Sequence, residues 1–216
     1  MTEMPDPFVL IASLALLSLA PFIGIMVTSF VKIVVVMFLI RNALGIQQIP
    51  PNMAVNGLAI ILSIYIMAPV GFATYDLVKQ NPMNLNNSAE IKTTLVNSAE
   101  PMRQFLLKHA NERERQFFVE SAATLWPAAQ QQYVAADSLL VLLPAFTVSE
   151  LNRAFEIGFL LYLPFVAIDL IVSNILLAMG MMMVSPMTIS LPFKLLLFVL
   201  LDGWTRLIHG LVLSYQ

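Results

Sequence analysis

Long apolar stretches that are almost free of charge dominate this sequence. Residues 8–40 carry one charge, Lys32, and residues 53–75 carry none. A helix needs about 20 apolar residues to cross the hydrocarbon core of a bilayer, and both stretches reach that length. Only 11% of all residues are charged, against about 25% in an average soluble domain, so the chain could not cover a soluble surface. We therefore expect a protein integral to a membrane or to a membrane-bound assembly.

The distribution of charge divides the chain into three regions. More than half of all charged residues lie in residues 76–137, and two further apolar stretches follow. The first of these runs from about Leu139 to Val184 and is too long for a single span. We predict an all-α fold, with hydrophobic helical hairpins at residues 1–75 and 138–216 and a small polar helical insert, outside the membrane, at residues 76–137.

The first residues and a single arginine bear on topology. Glu3 and Asp6 precede the first apolar stretch without any Lys or Arg, whereas a secretory signal needs a positive amino-terminal region, so we expect this segment to be retained. Arg41 lies in the connection between the first two apolar stretches. The positive-inside rule then predicts that this connection is cytoplasmic and that the insert lies on the other side.

Capping patterns and prolines indicate short helices in the insert. Asn87 with Glu90, and Asn111 with Glu114, each place an amide cap three residues before an acid. Prolines separate the helical segments, at Pro82, Pro101 and Pro127. The run of residues 112–115, which alternates Glu with Arg, is typical of a solvated helix face.

The apolar stretches contain five prolines, each of which removes a backbone donor and favours a kink. In hydrocarbon, such breaks are tolerated where neighbouring protein or water meets the freed carbonyls. The pattern therefore favours helices that pack on other helices, although proline is also common in ordinary membrane helices. The prolines are Pro21, Pro69, Pro144, Pro164 and Pro192.

Composition and missing motifs exclude most catalytic chemistry. The chain has no cysteine and two histidines, His109 and His209, which excludes thiolate nucleophiles, iron–sulfur clusters and zinc–thiolate sites. The formal net charge of -2 provides no basic surplus for binding nucleic acid. Zinc-protease, nucleophile-elbow, phosphate-loop and dinucleotide motifs are all missing. We expect a protein that is not an enzyme and that needs no cofactor or metal.

Five charges in apolar surroundings are the first candidates for functional residues: Lys32, Glu150, Glu156, Asp169 and Lys194. A charge in mid-membrane costs about 3 kcal/mol on insertion scales, so it usually pairs or faces a wet cavity. We expect these groups to be buried and paired. Lys194 is matched with Glu150 or Asp169, within one chain or across a subunit boundary, and such a pair could simply fix the packing of two helices.

The same charges also suggest two functions of other classes. Lys32, Asp169 and Lys194 could form the midplane site of an ion-coupled transporter, but the inverted repeat typical of such folds is not evident. Asp169 and Asp202 could form the paired carboxylates of an intramembrane aspartyl protease. Asp202, however, lies near the end of its apolar stretch, where a boundary or capping role is typical.

The second group of candidates is the methionine run Met181, Met182 and Met183, between Gly180 and a Val-Ser-Pro segment. Consecutive residues of a helix point about 100° apart and cannot line one face, but a turn flanked by Gly and Pro could present all three side chains. Methionine adapts to irregular surfaces, so several such turns could close a pore. Core filling between two helices is the alternative.

Several ordered motifs resemble those of one family. The second half of the chain contains LPAFTVSELNRAFEIGF from Leu143, LYLPFVAIDL from Leu161, GMMM from Gly180, LPFKL from Leu191 and LDGW from Leu201. The first half contains FVKI from Phe30, RNALG from Arg41 and QQIPPN from Gln47. In these motifs the sequence resembles the SctR/FliP family of type III secretion export-apparatus proteins. Only the polar insert lacks family motifs.

The resemblance implies a subunit of the closed export gate through which unfolded proteins are exported across the bacterial inner membrane. It implies a homo-pentamer that binds SctS/FliQ-like and SctT/FliR-like subunits, an SctU/FlhB-like switch protein and the inner rod or needle base. The assembly would sit at the bacterial inner membrane and project toward the periplasm.

The resemblance also assigns roles to particular residues. Met181, Met182 and Met183 would form the gate of the pore, and Glu150 would pair with Lys194 of a neighbouring subunit. Flagellar members usually carry a cleavable signal before the first apolar stretch, whereas this chain begins almost at that stretch. The injectisome branch is therefore expected.

Overall fold

The structure of the chain, a computed structural model, describes residues 7–46, 48–80, 94 and 96–216. Within these ranges the helices alone form regular structure and no strand occurs, which confirms the all-α prediction. The helices are α1 (Pro7–Met26), α2 (Phe30–Ala43), α3 (Asn52–Gln80), α4 (Glu100–His109), α5 (Glu112–Leu125), α6 (Ala128–Gln131), α7 (Leu139–Ala178), α8 (Pro186–Leu200) and α9 (Gly203–Leu213).

Short polar side chains break the first apolar stretch into two helices. The Thr28 hydroxyl donates to the carbonyl of Gly24 at 2.8 Å. The buried Ser29 hydroxyl donates to the hydroxyl of Ser63 in α3 at 3.1 Å. These bonds satisfy the polar groups at the break and join α2 to α3. The 33-residue apolar run therefore forms two helices rather than one long span.

Helix α2 is the centre of the apolar core. It packs mainly on α7 and also on α3. The spacing of its four most buried large apolar residues, three and four positions apart, places them on one helix face. These residues are Ile33, Val36, Met37 and Ile40.

A glycine permits the close approach of α2 and α7. Gly158 of α7 is buried against Leu39 of α2. A Cβ added to Gly158 would lie 3.1 Å from the Cβ of Leu39 and closer still to its Cδ1. The two backbones can therefore approach this closely only if residue 158 has no side chain.

Helix α7 continues through Pro144 and Pro164 for 40 residues. At 1.5 Å per residue it is about 60 Å long, roughly twice the ~30 Å thickness of a bilayer hydrocarbon core. A substantial part of this helix must therefore project beyond the membrane or tilt strongly within an assembly.

Two of the described helices are long and apolar enough to span a membrane, α3 and α7. Helices α8 and α9, bent by 59° at the break between them, could together provide a third span. In α3 and α7, only 17% and 11% of the residues in the apolar window are buried within the chain. Most of this apolar surface must therefore contact lipid or other protein, as expected of a membrane-embedded component.

The insert is helical in its described part and packs on the hydrophobic region. Helices α4 and α5 both contact α7, with Leu106 of α4 buried near Phe146 of α7. Asn111 caps α5, as predicted, because its side-chain oxygen accepts from the backbone N–H of Arg113 at 2.9 Å. The backbone N–H of Asn111 donates to the Ser149 hydroxyl at 2.8 Å, which replaces the reciprocal bond expected from Glu114.

The remaining predictions for the insert concern helix ends. Pro101 lies in the first turn of α4 and Pro127 immediately precedes α6, positions that tolerate the missing donor. The pattern of Asn87 with Glu90, and Pro82, lie outside the described residues. Helix α3 continues past residue 76 to Gln80. The division between the first hydrophobic region and the insert at residue 75 stays a prediction.

Candidate functional site: two charge clusters and a methionine turn

The first charge cluster lies between α2 and α7. The Lys32 ammonium is 3.2 Å from Oε2 of Glu150, and the two side chains are 1% and 0% exposed. Arg153, one turn further along α7, donates to Oε1 of Glu150 at 3.3 Å. The hydroxyl of Tyr215 also donates to Oε2 of Glu150. One buried carboxylate thus contacts two cations and a hydroxyl, which compensates its loss of water.

Aromatic rings surround this cluster. The Lys32 ammonium lies 3.4 Å from the centroid of the Tyr215 ring, a cation–π contact. The Tyr215 ring stacks on Phe105 of α4, with centroids 6.1 Å apart and an interplanar angle of 15°. His109 meets Tyr215 edge-on at 5.1 Å. The rings pack around the ion pair, whose two side chains are almost fully buried.

Arg153 also ties the insert to α7. Its Nη1 donates to the backbone carbonyl of His109, at the end of α4, at 3.0 Å. The His109 side chain is buried, and this burial lowers its pKa to about 4. His109 is therefore neutral at pH 7 and does not add a third cation to the cluster.

Glu156 lies outside the cluster, at the edge of an open groove of about 430 Å³ that Lys108 and Arg153 also line. The prediction that Glu156 is buried is wrong for the single chain, because the residue is exposed. It lies two positions after the buried Ala154, which places it about 200° around the helix. It therefore faces away from α2.

The second charge cluster joins α7, α8 and the end of α2. The Lys194 ammonium is 2.6 Å from Oδ2 of Asp169 and donates to the carbonyl of Ala43 at 3.1 Å. The Ser190 hydroxyl donates to Oδ1 of Asp169 at 2.6 Å. Ala43 ends α2, so the ammonium also faces the negative end of a helix dipole. Lys194 is buried, whereas Asp169 is partly exposed, so the prediction that Asp169 is buried is wrong for the single chain.

Glu150 and Lys194 therefore have different partners within the chain. Lys194 pairs with Asp169, one of the two carboxylates considered, and Glu150 pairs with Lys32. Glu150 and Asp169 are 19 residues apart on α7, or about 28 Å along the helix axis. A pair of Glu150 with Lys194 would thus have to join two subunits, and it stays a prediction.

The methionine run occupies the turn between α7 and α8. Gly180 has a φ of +72°. The N–H of Gly180 bonds to the carbonyl of Leu177, and the N–H of Met181 to that of Leu176, at 3.0 and 2.9 Å. This pattern is a Schellman motif, which ends a helix at a left-handed glycine. Helix α8 then begins at Pro186, a proline position that needs no donor.

The turn leaves its side chains uncovered by the rest of the chain. Met182 is 82% exposed and Met183 100% exposed. Met181, at 41%, is partly covered by its neighbours. The arrangement provides an exposed apolar tip at the end of a helical hairpin.

The geometry does not favour the two alternative functions. Lys32 and Lys194 belong to clusters about 28 Å apart along α7, so they do not share one transport site with Asp169. Both oxygens of Asp169 already accept hydrogen bonds, from Ser190 and Lys194. No hydrogen bond joins Asp169 to Asp202 in the described part of the chain. Asp202 lies instead at the break between α8 and α9 with a φ of +50°.

Sequence reasoning missed several members of the two clusters. Tyr215 follows a helix in a short polar segment, and Ser190 and Arg153 lie among residues of ordinary composition. Their roles depend on contacts between segments far apart in the chain. Among the described residues, no group of three or more His, Cys, Asp or Glu side chains could hold a metal ion.

The known proteins with similar sequences carry names from protein translocation, secretion and virulence. The chain matches the FliP family over residues 13–211. It is 63% identical over 215 residues to Yop proteins translocation protein R of Yersinia pestis, which covers 100% of this chain and 99% of the relative. It is 50% identical over 216 residues to virulence protein YscR of Salmonella typhimurium, a match that covers 99% of this chain and 100% of the relative. The hypersensitivity response secretion protein HrcR of Ralstonia nicotianae is 49% identical over 209 residues, covering 96% of each.

Proposed function

Because the chain belongs to the FliP family, we propose that it is a membrane-embedded subunit of a type III secretion export apparatus. The observation that supports this role is the match to translocation and secretion proteins over nearly the whole of both chains. These relatives carry names from protein translocation and virulence, so the injectisome branch is the better assignment. The chain contributes a conduit for unfolded proteins and catalyses no reaction.

The subunit assembles with itself and with other components of the apparatus. The proposed assembly is a homo-pentamer that binds SctS/FliQ-like, SctT/FliR-like and SctU/FlhB-like proteins and the needle base. Two features support it: α7 is about 60 Å long, far beyond a bilayer core, and most of the apolar window of α3 and α7 is not buried within the chain. In the assembly these surfaces pack on neighbouring subunits.

The assembly is placed at the bacterial inner membrane and projects toward the periplasm. The type of apparatus supports this location, and the length of α7 supports a projection. The insert, which packs on the first half of α7, would then lie on the periplasmic side, as the positive-inside rule predicts from Arg41.

Met181, Met182 and Met183 form the gate of the conduit. Their position on an exposed turn at the end of the α7–α8 hairpin supports this role. Thioether side chains are flexible, so they can fill a closed lumen and yield to a passing chain. Replacing all three by alanine should leave the complex assembled but leaky to small ions. Unchanged ion permeability in cells that contain the assembled variant would assign the turn to packing instead.

Complementation tests the proposed function. The chain would replace the 63% identical relative in Yersinia pseudotuberculosis, and secreted Yop proteins would be measured in the medium. We expect secretion to be restored. The export role would be refuted if the chain reached the membrane but supported secretion neither in Yersinia pseudotuberculosis nor in its own host. For the triple alanine variant of the methionine turn, replacing the exposed Leu125 by alanine provides the control.

A further inference from the structure

The side chain of Tyr215 enters the first charge cluster from the segment that follows α9. Its hydroxyl donates to Glu150 of α7. Its ring lies under the ammonium of Lys32 of α2, at 3.4 Å, and stacks on Phe105 of α4. One side chain therefore touches three helices, which belong to the first hydrophobic region, the polar insert and the second hydrophobic region.

The insert helix α4 depends on such contacts to keep its place. It has only 10 residues, and isolated helices of fewer than about 12–15 residues are marginal in water. Arg153 donates to the carbonyl of His109, and the Asn111 N–H bonds to Ser149 of α7. Both bonds act at or just beyond the last residue of α4. Along the side of the helix, Leu106 packs near Phe146, and the Tyr215 ring contacts Phe105 and His109.

We propose that Tyr215 is a latch that holds insert helix α4 against α7 and thereby fixes the insert relative to the hairpin that carries the methionine turn. The hydroxyl satisfies one oxygen of a fully buried carboxylate, and a lost hydrogen bond to a charged group is expensive there. The ring supplies the apolar and cation–π contacts to α4 and Lys32. Hydroxyl and ring make separable contributions, which two substitutions can distinguish.

The consequence for export rests on the proposed function. The latch joins the periplasmic insert to the same helix, α7, that ends at the methionine turn. A displacement of α4 by a needle-base component would then act on Glu150 and Lys32 through Tyr215. Release of the latch would loosen the contact between insert and hairpin before any change at the turn itself.

Hydrogen–deuterium exchange of the purified full chain, in the assembly in which it is extracted, tests the latch. The variants are Tyr215→Phe, which removes only the hydroxyl, and Tyr215→Leu, which also removes the ring. Tyr133→Phe is the matched control, because Tyr133 is exposed in the insert region. Peptides from residues 105–111 report on the last turns of α4, which carry the Tyr215 contacts, and peptides from residues 188–197 of α8 serve as the internal reference.

We expect exchange at residues 105–111 to rise about threefold or more in Tyr215→Phe and about tenfold or more in Tyr215→Leu. The tenfold change corresponds to ~1.4 kcal/mol. Exchange in α8 and in the Tyr133→Phe control should not change. Exchange at residues 105–111 equal to the control in both variants would overturn the latch. So would an equal rise in all helices with Tyr215→Phe, since that indicates a general packing role. The readout does not involve export, so it can fail independently of the proposed function.

Discussion

Replacement of Lys32 by methionine tests whether the first charge cluster stabilises the chain. Methionine keeps an unbranched apolar side chain but removes the charge, and Glu150 remains fully buried. Removing one partner of a buried ion pair costs about 3–5 kcal/mol, because the other charge is left uncompensated. Arg153 still contacts Glu150 at 3.3 Å, so we expect the lower end, about 3 kcal/mol, in the free energy of unfolding.

The assay is unfolding in mixed micelles of mild detergent and dodecyl sulfate, monitored by circular dichroism. Lys108→Met is the matched control, because Lys108 is exposed on α4, and such surface changes usually stay within about 0.5 kcal/mol. A double variant, Lys32→Met with Glu150→Gln, should recover most of the loss, since a buried pair can be replaced by neutral groups at little cost. If Lys32→Met lost no more stability than the control, or if the double variant lost the sum of both single losses, the buried ion pair would not stabilise the chain.

Three further predictions concern other contacts. If Lys194 and Glu150 pair between subunits, Lys194→Ala and Glu150→Ala should each reduce the amount of assembled complex in native gels. The double variant should then lose little more complex than either single variant, whereas fully additive losses would show that the two residues are not partners. Gly158→Val should force apart α2 and α7 at Leu39 and destabilise by about 1–3 kcal/mol, whereas an unchanged unfolding midpoint would show that the contact can relax. Burial lowers the pKa of His109 to about 4, so the contribution of neutral His109 to stability is complete above pH ~6.5 and is lost as pH falls toward 4. His109→Gln should flatten this dependence of the free energy of unfolding on pH. An unchanged slope would exclude His109 as its source.

The sequence determined the helical class and the burial of several charges for direct physical reasons. Apolar stretches of spanning length specify membrane-type helices, and a lysine such as Lys32 in such a stretch must find a partner. Asn111 was recognisable as a cap because capping depends on residues next to each other in the chain. The helix end at Gly180 follows from the same local chemistry.

The choice of charge partners was not accessible from the sequence. Lys32 could have paired with any carboxylate on a helix packed beside it, and the geometry of α2 against α7 selects Glu150. The contribution of Tyr215 depends on where its segment lies after α9, which no local pattern indicates. Glu156 was misjudged because an apolar neighbourhood in sequence does not reveal which face of α7 packs on α2.

Native mass spectrometry of the complex tests the export-subunit assignment most directly. The chain would carry an affinity tag, be produced in its own host with the other secretion proteins, and be extracted in a mild detergent. We predict a species with five copies of the chain together with two smaller hydrophobic proteins. A chain recovered only as a monomer, in a membrane extract that contains those two proteins, would exclude this assembly.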